Sequence, residues 1–187
     1  MAIAYLNPAS ATTNTNWDSS TVSELDQGET SNTWQSTANN ADLVVTLDDF
    51  DNTGVSSITS VQVILVGNYD SRSGSWSAST SITNSSGTSY YNEILAVPAG
   101  RTASTLSGTV RTTSDGSTAW TDSDLDGMKL EVSSSDCTDK GELIQFYIKV
   151  IYTESTGYAN TVIGVTSANI GEVIGVATAN IDKVTGV

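Results

Sequence analysis

The sequence predicts an all-β protein, an antiparallel jelly-roll-like β-sandwich carrying a C-terminal β-rich repeat tail. Two observations carry the sandwich. Apolar residues recur at every second position, in runs rich in β-branched and aromatic types, as half-buried antiparallel strands require. Clusters of Asp, Asn, Gly, Ser and Pro punctuate those runs at short intervals. A third observation carries the tail. The letters Ala-Asn-Ile return after eleven residues, at Ala168-Asn169-Ile170 and Ala179-Asn180-Ile181, in a glycine-spaced apolar segment.

The first residues, MAIAYLNPASATTNTN, hold little to bury beyond Tyr5 and Leu6 and are expected to form an N-terminal arm over 1–16. They lack the basic segment and apolar core of a signal peptide. The sandwich is expected over 17–153. In DLVVTL, Leu43, Val45 and Leu47 share one side of a strand. In ITSVQVILV, Val61, Val63 and Leu65 alternate with Ser60, Gln62 and Ile64. Trp76, Ala78, Thr80 and Ile82 alternate with serines through SWSASTSIT. Weaker strands are expected at 88–97 and 101–112. Met128, Leu130 and Val132 alternate with Lys129 and Glu131, and the last run places Ile144, Phe146, Ile148, Val150 and Tyr152 on one face. Turns fall at Asp51-Asn52-Thr53-Gly54, Ser73-Gly74, Ser85-Ser86-Gly87, Pro98-Ala99-Gly100, Asp115-Gly116 and Asp126-Gly127. About seven or eight strands so spaced, without a convincing helix, make a sandwich or jelly roll.

Residues 154–161 read as a linker and 162–187 as the tail. Ile170, Ile174, Ala177, Ile181 and Val184 would line one face of a helix. Yet the segment is built of Val, Ile, Thr, Asn and Gly, and each interior glycine costs a helix about 1 kcal/mol relative to alanine. Short strands, Val173–Val176 and Val184–Val187, joined at Ala-Asn turns fit the residue types better. So few repeats bury no core of their own, so the tail is expected to pack against something else. Val162, Ile163, Val165, Ile170, Val173, Ile174, Val176, Ile181, Val184 and Val187 are its candidate assembly residues.

Composition narrows the function. The chain of 187 residues carries 21 acidic and 7 basic side chains, no histidine, and a formal net charge of −14. Such a surface repels nucleic acid and anionic lipid, whose binding needs clustered Lys and Arg. No run approaches the roughly eighteen apolar residues of a membrane span. Without histidine the commonest general base and metal ligand are missing. The one cysteine, Cys137, sits among acids that raise rather than lower its pKa and cannot close an intrachain disulfide. No carboxylate pair is singled out for glycoside chemistry. A non-enzymatic protein without a cofactor is therefore expected.

Two motifs admit a sharper reading. Asp122-Ser123-Asp124-Leu125-Asp126-Gly127 matches the start of a calcium loop, making Asp122, Asp124 and Asp126 candidate ligands. The closing acid is absent, since Ser133 stands at the twelfth position, and a plain acidic turn is the competing reading. Asp48-Asp49-Phe50-Asp51-Asn52-Thr53-Gly54 is a poorer version of the same pattern. Of the four tryptophans, Trp76 and Trp120 read as core or strand-end residues. Trp17 and Trp34, in polar surroundings, are the candidate platforms for stacking on a glycan, against which core or edge packing is weighed.

A resemblance adds to this. TAWTDSDLDGMKLEV, followed by ELIQFYIKVIYT, resembles a layout recurring in small virion proteins of tailed bacteriophages, with Trp120, Thr121, Leu125, Gly127, Leu130 and Val132 in the matching places. Ile148, Val150 and Tyr152 match its closing strand, and SSITSVQVILVGNYD is similar to an earlier one. The Ala-Asn-Ile phrases of the tail look like the ends of structural proteins in phages of aquatic bacteria. The resemblance covers about 42–152 and 159–187. It implies a homo-oligomeric, trimeric virion protein on the phage particle surface. Capsid decoration or cementing, through arms that bind the major capsid or another virion protein, is the first expectation. The alternatives are a short tail fibre or host-adhesion module that binds glycans and, from another class, a free carbohydrate-binding module.

Overall fold

The computed structural model describes residues 1–19, 21–28, 33–38, 40–69, 76–85, 88–98, 100–134, 141–155, 172–173 and 176–177. In chain order its strands are β1 (Ala2–Leu6), β2 (Pro8–Thr15), β3 (Trp34–Gln35), β4 (Ala41–Leu47), β5 (Val55–Tyr69), β6 (Trp76–Thr83), β7 (Ser89–Val97), β8 (Gly100–Ser107), β9 (Lys129–Ser134), β10 (Gly141–Glu154), β11 (Glu172–Val173) and β12 (Val176–Ala177). A 3-10 turn, Val22–Leu25, and one helical turn, α1 (Asp122–Leu125), interrupt them.

Two antiparallel sheets face each other. The first has the order β1-β10-β5-β8, with β3 also on β10, and the second β2-β4-β9-β6-β7. With β2 and β3 set aside, the remaining eight strands alternate between sheets as a jelly roll does. The chain runs from β1 to β4 in the opposite sheet, back to β5, over to the β6–β7 hairpin, back to β8, over to β9 and finally to β10. The all-β sandwich is thus the observed architecture.

The alternation seen in the sequence becomes the inner faces. Leu43, Val45 and Leu47 of β4 and Leu130 and Val132 of β9 meet Val61, Val63 and Leu65 of β5 and Phe146, Ile148 and Val150 of β10 in one buried cluster. Trp76 is fully buried, as its alternation requires, and its indole N–H donates to the Asn68 carbonyl at 3.0 Å. One element of the last run differs. The β5–β10 register shifts between Leu143 and Gln145, so Leu143 rather than Ile144 enters the core. A bulge adds one residue and thereby inverts the facing of what precedes it. The expected strand at 88–97 matches β7, whereas the one at 101–112 stops at Ser107.

The N-terminal arm expected over 1–16 is instead two edge strands. β1 pairs with β10 from Ala2 opposite Tyr152 to Leu6 opposite Ile148, and β2 pairs with β4. Their weak hydrophobic pattern has a physical reason: an edge strand gains backbone hydrogen bonds from one neighbour and need bury little.

The opposite flank is clasped by the connection after β8. Glu93 on β7 accepts a hydrogen bond from the Thr109 amide at 2.7 Å and pairs with Arg111 at 3.9 Å. The Arg111 guanidinium lies 4.3 Å above the Tyr91 ring, and its carbonyl accepts from the Trp120 indole at 2.9 Å. Arg111 also exchanges backbone hydrogen bonds with Val61 of β5, so the clasp ties the two sheets together.

Candidate functional site

One concavity among the described residues lies on the outer face of the second sheet. Because side chains alternate along a strand, the row opposite the buried Ala78 and Thr80 points outward. In that row Ser79 of β6 stands between Ser133 of β9 and Ile94 of β7, and Ser133 in turn stands beside Asp42 of β4. Ser77, Ser79 and Ser133 are short, so the middle of the sheet is low. Ile94, 71% exposed, rises on one side and Asp42 with Asn40 on the other. The result is an open trough of about 340 Å³, lined also by Ser134.

The trough is a hydroxyl surface with one carboxylate and one aliphatic wall. In the next row, the Ser81 hydroxyl donates to Glu131 at 3.2 Å. Serine hydroxyls both donate and accept, so this lining suits a neutral polyhydroxylated ligand better than a charged one. Its signal was present in the sequence: serine at every second position of SWSASTSIT marks an outer face free of bulk.

The residues singled out from sequence fall elsewhere. Trp17 is 7% exposed and Trp34 fully buried, so neither offers a stacking platform, which corrects that expectation. Trp17 packs edge-on against Trp76 with centroids 6.2 Å apart. The Trp34 indole donates to Glu24 Oε2 at 2.9 Å, and Ser19 donates to the same oxygen at 2.7 Å. Polar flanks hid both because each belongs to a short bridge rather than to an alternating run: Trp17 pairs with Ser36, and Trp34 with Leu143.

Asp122, Asp124 and Asp126 do not converge as a ligand set. They stand in and just after α1, a helical turn capped by Thr121. Asp124 Oδ2 accepts from the Thr121 amide at 2.8 Å and hydroxyl at 2.7 Å, and Asp124 Oδ1 accepts from the Tyr90 hydroxyl at 2.9 Å. Asp122 accepts from Asn52 at 2.9 Å, which joins the two acidic turns. Gly127, at φ 65°, lets the chain leave the turn and enter β9. Among the described residues no group of three His, Cys, Asp or Glu could hold a metal ion. Burial first, and then the hydrogen bond to Asp124, push the Tyr90 hydroxyl up to about 12.

Of the tail, Val173 and Val176 are described. They pair with each other, and Glu172 with Ala177, across antiparallel strands β11 and β12. The strand expected over Val173–Val176 includes residues 174 and 175, which lie outside the described residues. Val162, Ile163, Val165, Ile170, Ile174, Ile181, Val184 and Val187 lie outside the described residues, as do Cys137 and the strand expected at Val184–Val187.

No protein-family model matches the chain, and no curated protein sequence matches it. Among solved structures, it is similar to the C-terminal CBM6 of LamC, a marine laminarinase from Zobellia galactanivorans, at 12% identity and a TM-score of 0.47, over 80% of this chain and 98% of that one. An arabinose-bound α-L-arabinofuranosidase aligns at 8% identity and a TM-score of 0.44, over 86% of this chain and 24% of that one. The enzymatically active domain of bacteriophage CBA120 tailspike protein 4 aligns at 12% identity and a TM-score of 0.42, over 80% of this chain and 19% of that one. All are loose superpositions of one β-sandwich on another, and the chain spans about a quarter or less of the last two.

Proposed function

We propose that the protein is a non-enzymatic structural component of a phage particle, a capsid-decorating or cementing sandwich displayed on the surface and held there through its tail. The supporting observation is that, among the described residues, one buried apolar cluster runs from Leu6 to Val150 across both sheets. In this reading the apolar repeat at 162–187 is the segment that engages a neighbouring virion subunit, and the pairing of Val173 with Val176 is in keeping with attachment by strand addition. Deleting 159–187 tests this. The sandwich should stay folded while incorporation into particles is lost, and a tail-less protein that still assembles contradicts the reading.

The trough favours a second reading, glycan binding by an adhesion module or a free carbohydrate-binding module. Its ligand would be a neutral saccharide lying across Ser79 and Ser133 against Ile94. Glycan-array binding that Ser79→Tyr abolishes supports this, and binding indifferent to that substitution removes the trough from consideration.

A further inference from the structure

The charges of this chain are unevenly placed. Residues 1–17, MAIAYLNPASATTNTNW, carry no charged side chain in a protein with a formal net charge of −14. They supply β1 and β2, the edge strands of one flank, whereas the other flank is clasped by Glu93 and Arg111.

The two edges differ. β2 is interrupted by register shifts between Pro8 and Ser10 and between Ala11 and Thr13. Such bulges twist an edge away from further pairing. β1 runs on β10 without a shift from Ala2 to Leu6, and among the described residues nothing pairs with its other side. It has no lysine, proline or bulge to guard it. Its outward side chains are apolar: Ile3 is 51% exposed and Tyr5 40%. On the outer face of the first sheet Ile3 stands opposite Ile151 and Tyr5 opposite Lys149, with the Tyr5 ring packed edge-on to Tyr147 at 5.6 Å. Tyr147 in turn stands opposite Ile64.

We infer that β1 pairs antiparallel with β1 of a second copy of this chain, joining the two first sheets across a two-fold axis at Ala4. In that register Ala4 faces Ala4 of the other copy, Ala2 faces Leu6, and Ile3 faces Tyr5, an aliphatic–aromatic cross-strand pair on the outer face. Charge selects the occupant. Two copies this acidic repel over most of their surfaces, so they meet along a strand that carries no charged side chain, whereas a basic partner would be drawn to the acidic surface instead. The pairing is isologous and gives a dimer where the sequence resemblance implies a trimer. It stands on the edge itself and not on the role of the tail.

Cysteine cross-linking of the full chain tests the register, in a Cys137→Ala background. Antiparallel partners sit with Cα atoms about 4.5–5.5 Å apart, within disulfide reach. Ala4→Cys should give a covalent dimer on mild oxidation and Ala2→Cys should not. Sedimentation velocity of the unmodified chain should show a concentration-dependent dimer. Ile3→Glu should weaken it at least tenfold with an unchanged thermal melt, and Ile94→Glu should leave it intact. A monomer at all concentrations, a trimer, or equal cross-linking at positions 2 and 4 would overturn the inference. A concentration-independent monomer would mean that the edge is covered within one chain.

Discussion

The Glu93 carboxylate occupies the space where a Cβ at Gly108 would stand. From there it holds the Thr109 amide and faces Arg111, closing the flank opposite β1. Gly108→Ala should therefore push the Glu93 side chain off Thr109. The loss should be about 1 kcal/mol, since the far end of a flexible side chain can swing away. At Gly67 a Cβ would lie 2.6 Å from the Glu142 carbonyl, which is backbone of β10 and cannot. Gly67→Ala should cost more, roughly 2–3 kcal/mol. Urea unfolding of both variants checks the order.

Trp17 and Trp34 should separate by their indole nitrogens. Trp34 donates to Glu24, while the buried Trp17 nitrogen has no partner among the described residues. Trp34→Phe should lose about 2–3 kcal/mol, combining lost packing with a broken hydrogen bond to a charged group. Trp17→Phe should lose about 1 kcal/mol. Neither variant should acquire or lose glycan binding with its fold intact.

Calcium should leave the thermal midpoint unchanged at millimolar concentration, because the Asp124 carboxylate is committed to the Thr121 cap and to Tyr90. A rise in the midpoint would restore the ligand reading of Asp122, Asp124 and Asp126. Asp124→Ala should cost about 1–2 kcal/mol through the lost cap.

Tyr90 and Asp115 contribute to the alkaline and acid ends of the stability curve. The folded Tyr90 hydroxyl is raised from 10.0 to about 12, so the unfolded chain ionises first and stability falls as pH rises through that window. Tyr90→Phe should flatten the alkaline limb. Asp115 accepts from the Thr118 and Ser117 amides and both their hydroxyls, which holds its carboxyl well below the usual range. Its contribution is present above the ordinary value of 3.8 and is lost as pH falls below it. Asp115→Asn should flatten the acid limb. Denaturant melts across pH check both.

The strands of the core were legible because each buries one whole face, and period-two alternation follows directly from that. Trp76 was legible for the same reason, set between serines on a central strand. The first two strands were not, since Ala2, Ala4 and the Ser-Thr run of β2 hold their place by backbone bonding at an edge, which leaves no pattern. Asp122, Asp124 and Asp126 showed their spacing but not their purpose: alternate acids serve a helix cap as readily as a cation. The trough was half legible, as an outward row of serines on β6. Its second wall comes from Asp42, distant in sequence and brought beside Ser133 only by the pairing of β4 with β9.

The proposal that this chain is a repeated component of a phage particle is tested most directly by quantitative mass spectrometry of phage particles purified from cultures that produce the protein. Many copies per particle are expected, of the same order as the major capsid protein. Purified, infectious particles from which its peptides are absent would contradict it.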